Sequence, residues 1–329
     1  MRPISVIGAG VAGLCVATEL VARGAEVTLI DKVATPGSHA CSWWAGGMLA
    51  PQCEAESAEE PVERLGALAA NWWAAQGVPI HRHGTLVVAL DRDGRELNRF
   101  ARRTTGAAAV DADRIAALEP DLAGRITKGL FFEDEGHLDP RGALATLSVN
   151  LAGKGVAVTD TEPRGLTIDC RGLAARDALS DLRGVKGEML IIRCPDVDLT
   201  RTVRLLHPRI PLYIVPRGEG VYMIGATVIE ATERSRITAR SILEMLSAAY
   251  ALHPAFGEAE ILEIGTDARP AFPDNLPRIR RRGTTVYANG LFRHGFLLGP
   301  ALASQVADMV LDGKSVEFCD EDHPERGAA

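Results

Sequence analysis

Residues 4–31, ISVIGAGVAGLCVATELVARGAEVTLID, decide the fold. Ile4, Val6 and Ile7 make a short strand of the buried, β-branched kind, which runs into Gly8-Ala9-Gly10-Val11-Ala12-Gly13, the spacing G-x-G-x-x-G. Leu14, Val16, Ala17, Leu20 and Val21 then share one helical face, and Gly24 stops the helix. Residues 26–30 alternate as a second strand that ends in Asp31. This is a complete βαβ unit with an acid where a ribose hydroxyl needs an acceptor. Gly8 permits the tight turn, Gly10 lets the backbone approach a pyrophosphate, and Gly13 lets the helix pack close to the strand. The free N–H groups of the helix start, with its dipole, face the phosphates. A carboxylate at Asp31 suits a free 2′-hydroxyl and repels a 2′-phosphate, so the unit fits FAD or NAD better than NADP.

Working outward, 329 residues are long for one core and predict two domains. A formal charge of -7 argues against nucleic acid or an anionic membrane as the main partner. It leaves room for a few buried arginines to bind a small anion. Cys15, Cys41, Cys53, Cys170, Cys194 and Cys319 show no C-x-x-C spacing, which predicts a reducing, cytoplasmic setting. The chain opens almost on its first strand, leaving no room for a signal peptide, and no apolar run is long enough to span a membrane.

After Asp31 a polar passage leads to CSWWAGGMLAP (41–51), read as an irregular segment with close backbone approach to a ligand. Residues 54–76 read as one helix, with Trp72 and Trp73 as packing residues. HRHGTLVVAL (81–90) ends in a strand of a second domain, and His81 and His83, lacking acidic or cysteine companions, read as solvated turn residues and not as metal ligands. Helices are expected at 95–103 and 111–118 and a strand at 130–133. After a turn at 134–138, Asp139-Pro140 opens another helix. Strands at 155–159 and 166–170 return to the nucleotide-binding sheet. Next come a strand at 187–193, a hairpin of 213–216 and 221–225 around Arg217-Gly218-Glu219-Gly220, and a helix at 238–250. The chain closes with a strand at 284–289, a glycine-bounded turn at 290–299 and a helix at 300–311. Arg280-Arg281-Arg282 reads as a solvated charge run, Tyr222 as strand packing, and the tail from 320 as disordered.

The βαβ unit, Ala45-Gly46-Gly47-Met48-Leu49-Ala50-Pro51, Tyr213-Ile-Val-Pro-Arg217, Ala268-Arg269-Pro270 and Asn289-Gly290-Leu-Phe-Arg293-His-Gly-Phe together resemble the D-amino-acid-oxidase-like FAD enzymes. Among these they are most similar to the glycine oxidases of thiamine biosynthesis. The motifs occur in the family's order over nearly the whole chain. The resemblance implies an α/β chain in which a Rossmann-like FAD domain (1–78, 135–185 and 265–329) is interleaved with a β-sheet-rich substrate domain (79–134 and 186–264). It implies non-covalent FAD, a small amino acid substrate oxidised at its α-carbon to an imine, oxygen as acceptor and hydrogen peroxide as product. Family members often form homo-oligomers. The alternatives are a flavin-linked D-amino-acid dehydrogenase and a flavin-binding subunit without catalysis.

Carried over residue by residue, the resemblance places the adenosine and pyrophosphate on Gly8, Gly10, Val11, Ala12, Gly13, Asp31 and Lys32. It runs Cys41, Ser42, Gly46, Gly47 and Met48 beside the flavin ring. Leu291, Phe292, His294, Gly295, Phe296 and Leu297 close over the ring's pyrimidine end, and Tyr213, Arg269 and Arg293 hold the substrate. The chain departs from the family in a shortened connection between Thr159 and Cys170, near Arg164, and in carrying aspartate at 31 where glutamate is commoner. On residue type alone, Arg269 and Arg293 read equally well as surface charges. With the resemblance, Arg293 is the expected two-bonded grip on a carboxylate, and a helix start at Pro300 is expected to favour negative charge on the flavin.

Overall fold

The computed structural model describes residues 3–207, 211–234 and 236–320. The strand Ile4–Ile7 lies inside a six-stranded sheet, with Val27–Ile30 on one side and Leu166–Asp169 on the other, both parallel to it. Val158–Thr159 and Thr285–Asn289 extend the parallel array, and Arg278–Arg282 closes one edge antiparallel. These strands are short and apolar because helices cover them. The helix Val11–Ala22 packs against the last helix, Gly295–Asp312, and Leu14, Val16, Leu20, Leu298, Leu302 and Val306 fill the contact. At Gly13 a β-carbon would stand 1.7 Å from the Gly8 carbonyl oxygen, so the close approach of helix and turn admits no side chain there.

The second sheet has nine strands and is largely antiparallel. Its longest pair, Arg183–Arg193 and Glu260–Ala271, runs together end to end with one irregularity at Ile191/Ile192. The expected hairpin forms as Leu212–Gly218 and Val221–Gly225, and the helix Ala239–Leu252 covers a core of Leu190, Ile214, Ile224, Met245 and Ala249. The chain enters this sheet at Thr85–Ala89, leaves it for Val158–Thr159 and Leu166–Asp169, re-enters at Arg183 and departs after Ala271. The two sheets are therefore interleaved, as the family resemblance implies. The expected return at 265 falls within a strand that stays in the second sheet to Ala271.

Four expectations are corrected. Residues 54–76 form three short helices, Pro51–Glu54, Glu60–Gly66 and Ala69–Ala75, because Pro61 can stand only in a first turn and restarts the helix. The turn at 134–138 contains a two-residue strand, Gly136–His137, paired with Met48–Leu49. The arginine run lies in the edge strand Arg278–Arg282. There Arg280 reaches Asp181 at 2.6 Å and Asp320 at 2.8 Å, its guanidinium 4.6 Å from the Phe272 ring centroid. The last helix begins at Gly295 and holds Pro300 inside it. Proline cannot donate to the carbonyl four residues back; here that carbonyl, Phe296 O, accepts the Trp73 indole N–H at 2.8 Å instead. Apart from Asp320, the charged tail lies outside the described residues. Among the described residues no helix is long and apolar enough to cross a membrane.

Candidate functional site

A cavity of about 580 Å³ opens between the carboxyl ends of the parallel strands and the inner face of the second sheet. The strand–turn–helix geometry builds its first end. Gly8 has φ +100, and a β-carbon there would press on the Cys170 carbonyl oxygen at 2.7 Å. The first helical bond runs from the Leu14 N–H to the Gly10 carbonyl at 2.9 Å, so the N–H groups of Val11, Ala12 and Gly13 precede the ladder. Asp31 accepts the Ala9 N–H at 2.7 Å and the Val33 N–H at 3.2 Å, which fixes its carboxylate beside the turn. Gly8, Gly10, Val11, Ala12, Asp31 and Lys32 line the cavity; Gly13 does not, and serves the packing behind it. Arg164 also lies off the cavity, its backbone N–H and carbonyl both tied to the Ser5 hydroxyl at 2.8 and 2.9 Å.

The middle of the cavity is walled by Cys41, Ser42, Gly46, Gly47 and Met48. Gly47 has φ +72, and a β-carbon on it would meet the Leu138 carbonyl oxygen at 2.2 Å. The buried Arg217 guanidinium donates to the Gly46 carbonyl at 2.8 Å and pins this segment. Burial pushes the Arg217 pKa down to about 10, which leaves it charged at neutral pH. Burial pushes the Cys41 thiol up to about 12, so it is a neutral thiol. The Ser42 hydroxyl oxygen is buried, lacks a hydrogen-bond partner among the described residues, and lies 3.7 Å from a β-carbon position on Gly10. Unpaired buried hydroxyls are costly. A phosphate at the glycine turn would satisfy this one, so the residues present fit a dinucleotide.

Leu291, Phe292, His294, Gly295, Phe296 and Leu297 line the far end. The Leu298 N–H bonds the His294 carbonyl at 2.7 Å, so the N–H groups of Gly295, Phe296 and Leu297 start a second helix facing the same space. Two helix N-termini thus meet one cavity, both favouring negative charge. The second is five residues earlier than the expected start at Pro300.

Tyr213, Arg269 and Arg293 are all brought to this end. Tyr213 comes from the hairpin, and burial pushes its phenol up, leaving a neutral hydroxyl donor. Arg269 lies across Gly187, where a β-carbon would fall 2.0 Å from its Nη2, and one Nη1 bond to the Thr227 carbonyl at 3.2 Å holds it. Arg293 is more committed. Its Nε stands 2.8 Å from Glu54 Oε2, and its Nη2 donates to the Ser57 hydroxyl at 2.7 Å.

Glu54, Arg204 and Arg217 are the functional residues that sequence reasoning missed. Glu54 takes Arg293, stands 3.0 Å from His294 Nε2 and receives Arg204 Nη1 at 3.3 Å. Burial alone would raise its carboxyl, but Arg293, the His294 bond and Arg204 outweigh it and hold it well below the usual carboxylate range. Burial keeps His294 below its ordinary value in spite of Glu54, so the imidazole is neutral near pH 7. The available signal for Arg204 was a single charge in the apolar strand Thr202–Leu206; Glu54 had none beyond its nearness to the double glycine. His81 and His83 are exposed, as read, and no cluster of candidate metal ligands occurs among the described residues.

A Rhizobium etli protein carrying the provisional name thiamine biosynthesis oxidoreductase ThiO is 53% identical, over 99% of both chains. Glycine oxidase of Bacillus licheniformis is 27% identical over 93% of this chain and 92% of its own. The crystal structure of glycine oxidase from Geobacillus kaustophilus superposes with a TM-score of 0.81 at 23% identity, covering 97% of each chain. The family model described as FAD dependent oxidoreductase (DAO) matches residues 4–309, and the chain belongs to that family of FAD-dependent enzymes.

Proposed function

We propose that this enzyme oxidises the amine of glycine, or of a similarly small amino acid, to an imine, with oxygen as acceptor and hydrogen peroxide as product. The observation that carries this reading is Arg269. It is a lightly bonded guanidinium within electrostatic reach of the Tyr213 phenol, in a cavity that also takes in the dinucleotide turn. Its planar fork can take a carboxylate with two parallel bonds, and the neutral Tyr213 hydroxyl can add a third. Arg293, held by Glu54 and Ser57, is the wall and not the grip.

In this reading Asp31 and Lys32 hold the adenosine end of FAD. Gly8, Gly10, Val11, Ala12 and Ser42 hold the pyrophosphate. The flavin ring lies beside 41–48 with its pyrimidine end at 291–297. FAD supplies the hydride acceptor. The protein supplies position: it fixes the α-carbon by its carboxylate, keeps water out with buried walls, and offers the Gly295–Leu297 N–H groups to negative charge. Cys41 and Cys170 line the cavity as neutral thiols, burial raising both, which suits non-covalent FAD. Cys15, Cys41, Cys53, Cys170 and Cys194 are free thiols, in keeping with a reducing, cytoplasmic setting. The name carried by the Rhizobium etli relative supports a place in thiamine thiazole synthesis. The proposed FAD unit carries the six-stranded sheet and the proposed substrate unit the nine-stranded one, the latter including Arg183–Arg193 and Glu260–Ala271.

Anaerobic mixing of the yellow protein with glycine should bleach the flavin absorbance, and air should then yield peroxide. Bleaching without peroxide would point to a dehydrogenase. No bleaching with glycine, sarcosine or D-alanine would overturn the reading.

A further inference from the structure

Glu54 is 7% exposed, yet it faces the substrate end of a cavity that also presents Arg204, Arg269 and Arg293. Its carboxylate bridges two of these guanidinia: Oε2 meets Arg293 Nε at 2.8 Å and Oε1 meets Arg204 Nη1 at 3.3 Å. Arg204 stands directly opposite Tyr213 in the strand pairing, and the Tyr213 phenol lies within electrostatic reach of Arg269, Glu54, Arg293 and Arg204. Glu54 is the carboxylate bonded to Arg204 and Arg293, whereas Asp267, on the same cavity, is taken by Arg234. A carboxylate seated between two guanidinia beside a third is the arrangement a bound dicarboxylate would make, with one of its ends here supplied by the protein.

We propose that Glu54 is a specificity-determining residue: its carboxylate fills a second anion subsite made by Arg204 and Arg293, and so restricts the cavity to amines that carry a single carboxylate. This rests on the reading of Arg269 as the carboxylate grip. The physical reason is that removing a buried carboxylate leaves its guanidinium partners desolvated and unpaired, and the remedy open to them is another anion. Glutamine at 54 removes the charge while still filling its volume, and an aminodicarboxylate or N-carboxymethyl amino acid could then bring its second carboxylate alongside the amide to the Arg204 and Arg293 guanidinia.

The test uses the flavin-loaded wild type and Glu54→Gln, titrated with acetate and with malonate and read by the visible flavin spectrum. The wild type should bind malonate no more tightly than acetate. Glu54→Gln should favour malonate by about tenfold or more, as one additional charge-assisted hydrogen bond would give. Turnover should follow, with iminodiacetate rising relative to glycine in the variant. A tenfold malonate preference in the wild type, or an unchanged ratio in Glu54→Gln, would overturn the proposal. Should Glu54→Gln fail to hold flavin, Glu54→Ala takes its place, and the wild-type ratio can still refute the idea alone. A changed ratio without any peroxide from glycine would instead remove the oxidase reading and leave the role of Glu54 standing.

Discussion

The sharpest consequence of the geometry concerns Arg269 and the glycine beneath it. Arg269→Ala removes a guanidinium placed to give a substrate carboxylate two charge-assisted hydrogen bonds, each worth roughly 1.5–3 kcal/mol net. Taking the lower figure twice gives about 3 kcal/mol, or about two orders of magnitude in KM for glycine. Flavin content should be untouched, because among the described residues the guanidinium bonds the Thr227 carbonyl alone. Gly187→Ala offers an independent route to the same group. The added methyl would lie 2.0 Å from Arg269 Nη2 and 2.2 Å from its Cζ, while the strand conformation at Gly187 accepts alanine. The guanidinium, the mobile end of a long side chain, must move. KM should rise roughly tenfold with the fold intact, since a displaced charge keeps part of its attraction. Arg293→Ala should raise KM less than Arg269→Ala and lower stability more, because it strips Glu54 of its nearest partner. Steady-state peroxide assays on flavin-replete protein, with thermal melts alongside, measure all three. An unchanged glycine KM in both Arg269→Ala and Gly187→Ala would refute the assignment of the carboxylate to Arg269.

Three further outcomes are expected. Ser42→Ala should raise the FAD dissociation constant about fivefold, roughly 1 kcal/mol, without lowering the melting temperature of apoprotein, in which that hydroxyl has no partner; flavin fluorescence on reconstitution measures it. Trp73→Phe should cost about 1–3 kcal/mol in urea unfolding, because it leaves the Phe296 carbonyl, already deprived by Pro300, with nothing to accept. Burial pushes the Glu135 carboxyl from its ordinary 4.5 up to about 7, the Cys53 N–H it accepts at 2.7 Å only partly offsetting this. A folded value above the unfolded one means the folded chain holds the extra proton between them. The stability this group contributes is therefore full below pH 4.5 and is lost as pH rises toward 7. The loss is about 3 kcal/mol at most, and Glu135→Gln should abolish it when unfolding is compared at pH 5 and pH 7.

The dinucleotide turn was legible in the chain because every requirement there is local. Gly8, Gly10 and Gly13 act within six residues, and the periodicity of the flanking strands and helix declares their type. Which residues line the far end of the cavity was legible, but not how each arginine is bonded there. Arg269 and Arg293 both sit in tight, turn-rich sequence, and what separates them is Glu54, which approaches Arg293 from a segment far away in the chain. The same holds for the last helix. A proline at 300 argues for a helix beginning there, and the actual start at Gly295 survives because an indole 223 residues distant supplies the missing donor. Residues 54–76 misled for the opposite reason: their apolar spacing suits a helix throughout, and Pro61, confined to a first turn, forces a new start at Glu60.

Why Arg269 and the turn that opens the last helix hold register across two sheets follows from one stretch of backbone. Arg269 is the third residue from the end of the strand Glu260–Ala271, which is anchored along its length to Arg183–Arg193. One residue further, the Pro270 carbonyl accepts the Phe292 N–H at 2.9 Å, binding the end of the substrate sheet to the turn that opens the last helix. Phe292 sits at φ +49, a left-handed conformation that a bulky residue adopts only under constraint from its surroundings. That constraint is the Pro270 bond on one side and the His294 N–H to the Leu291 carbonyl, 2.8 Å, on the other. The strain costs on the order of 1 kcal/mol or more, and it is confined to the residue that joins the two walls of the cavity. The strained turn thus stands between the Gly295–Leu297 helix start and the strand that carries Arg269, both of which line one cavity.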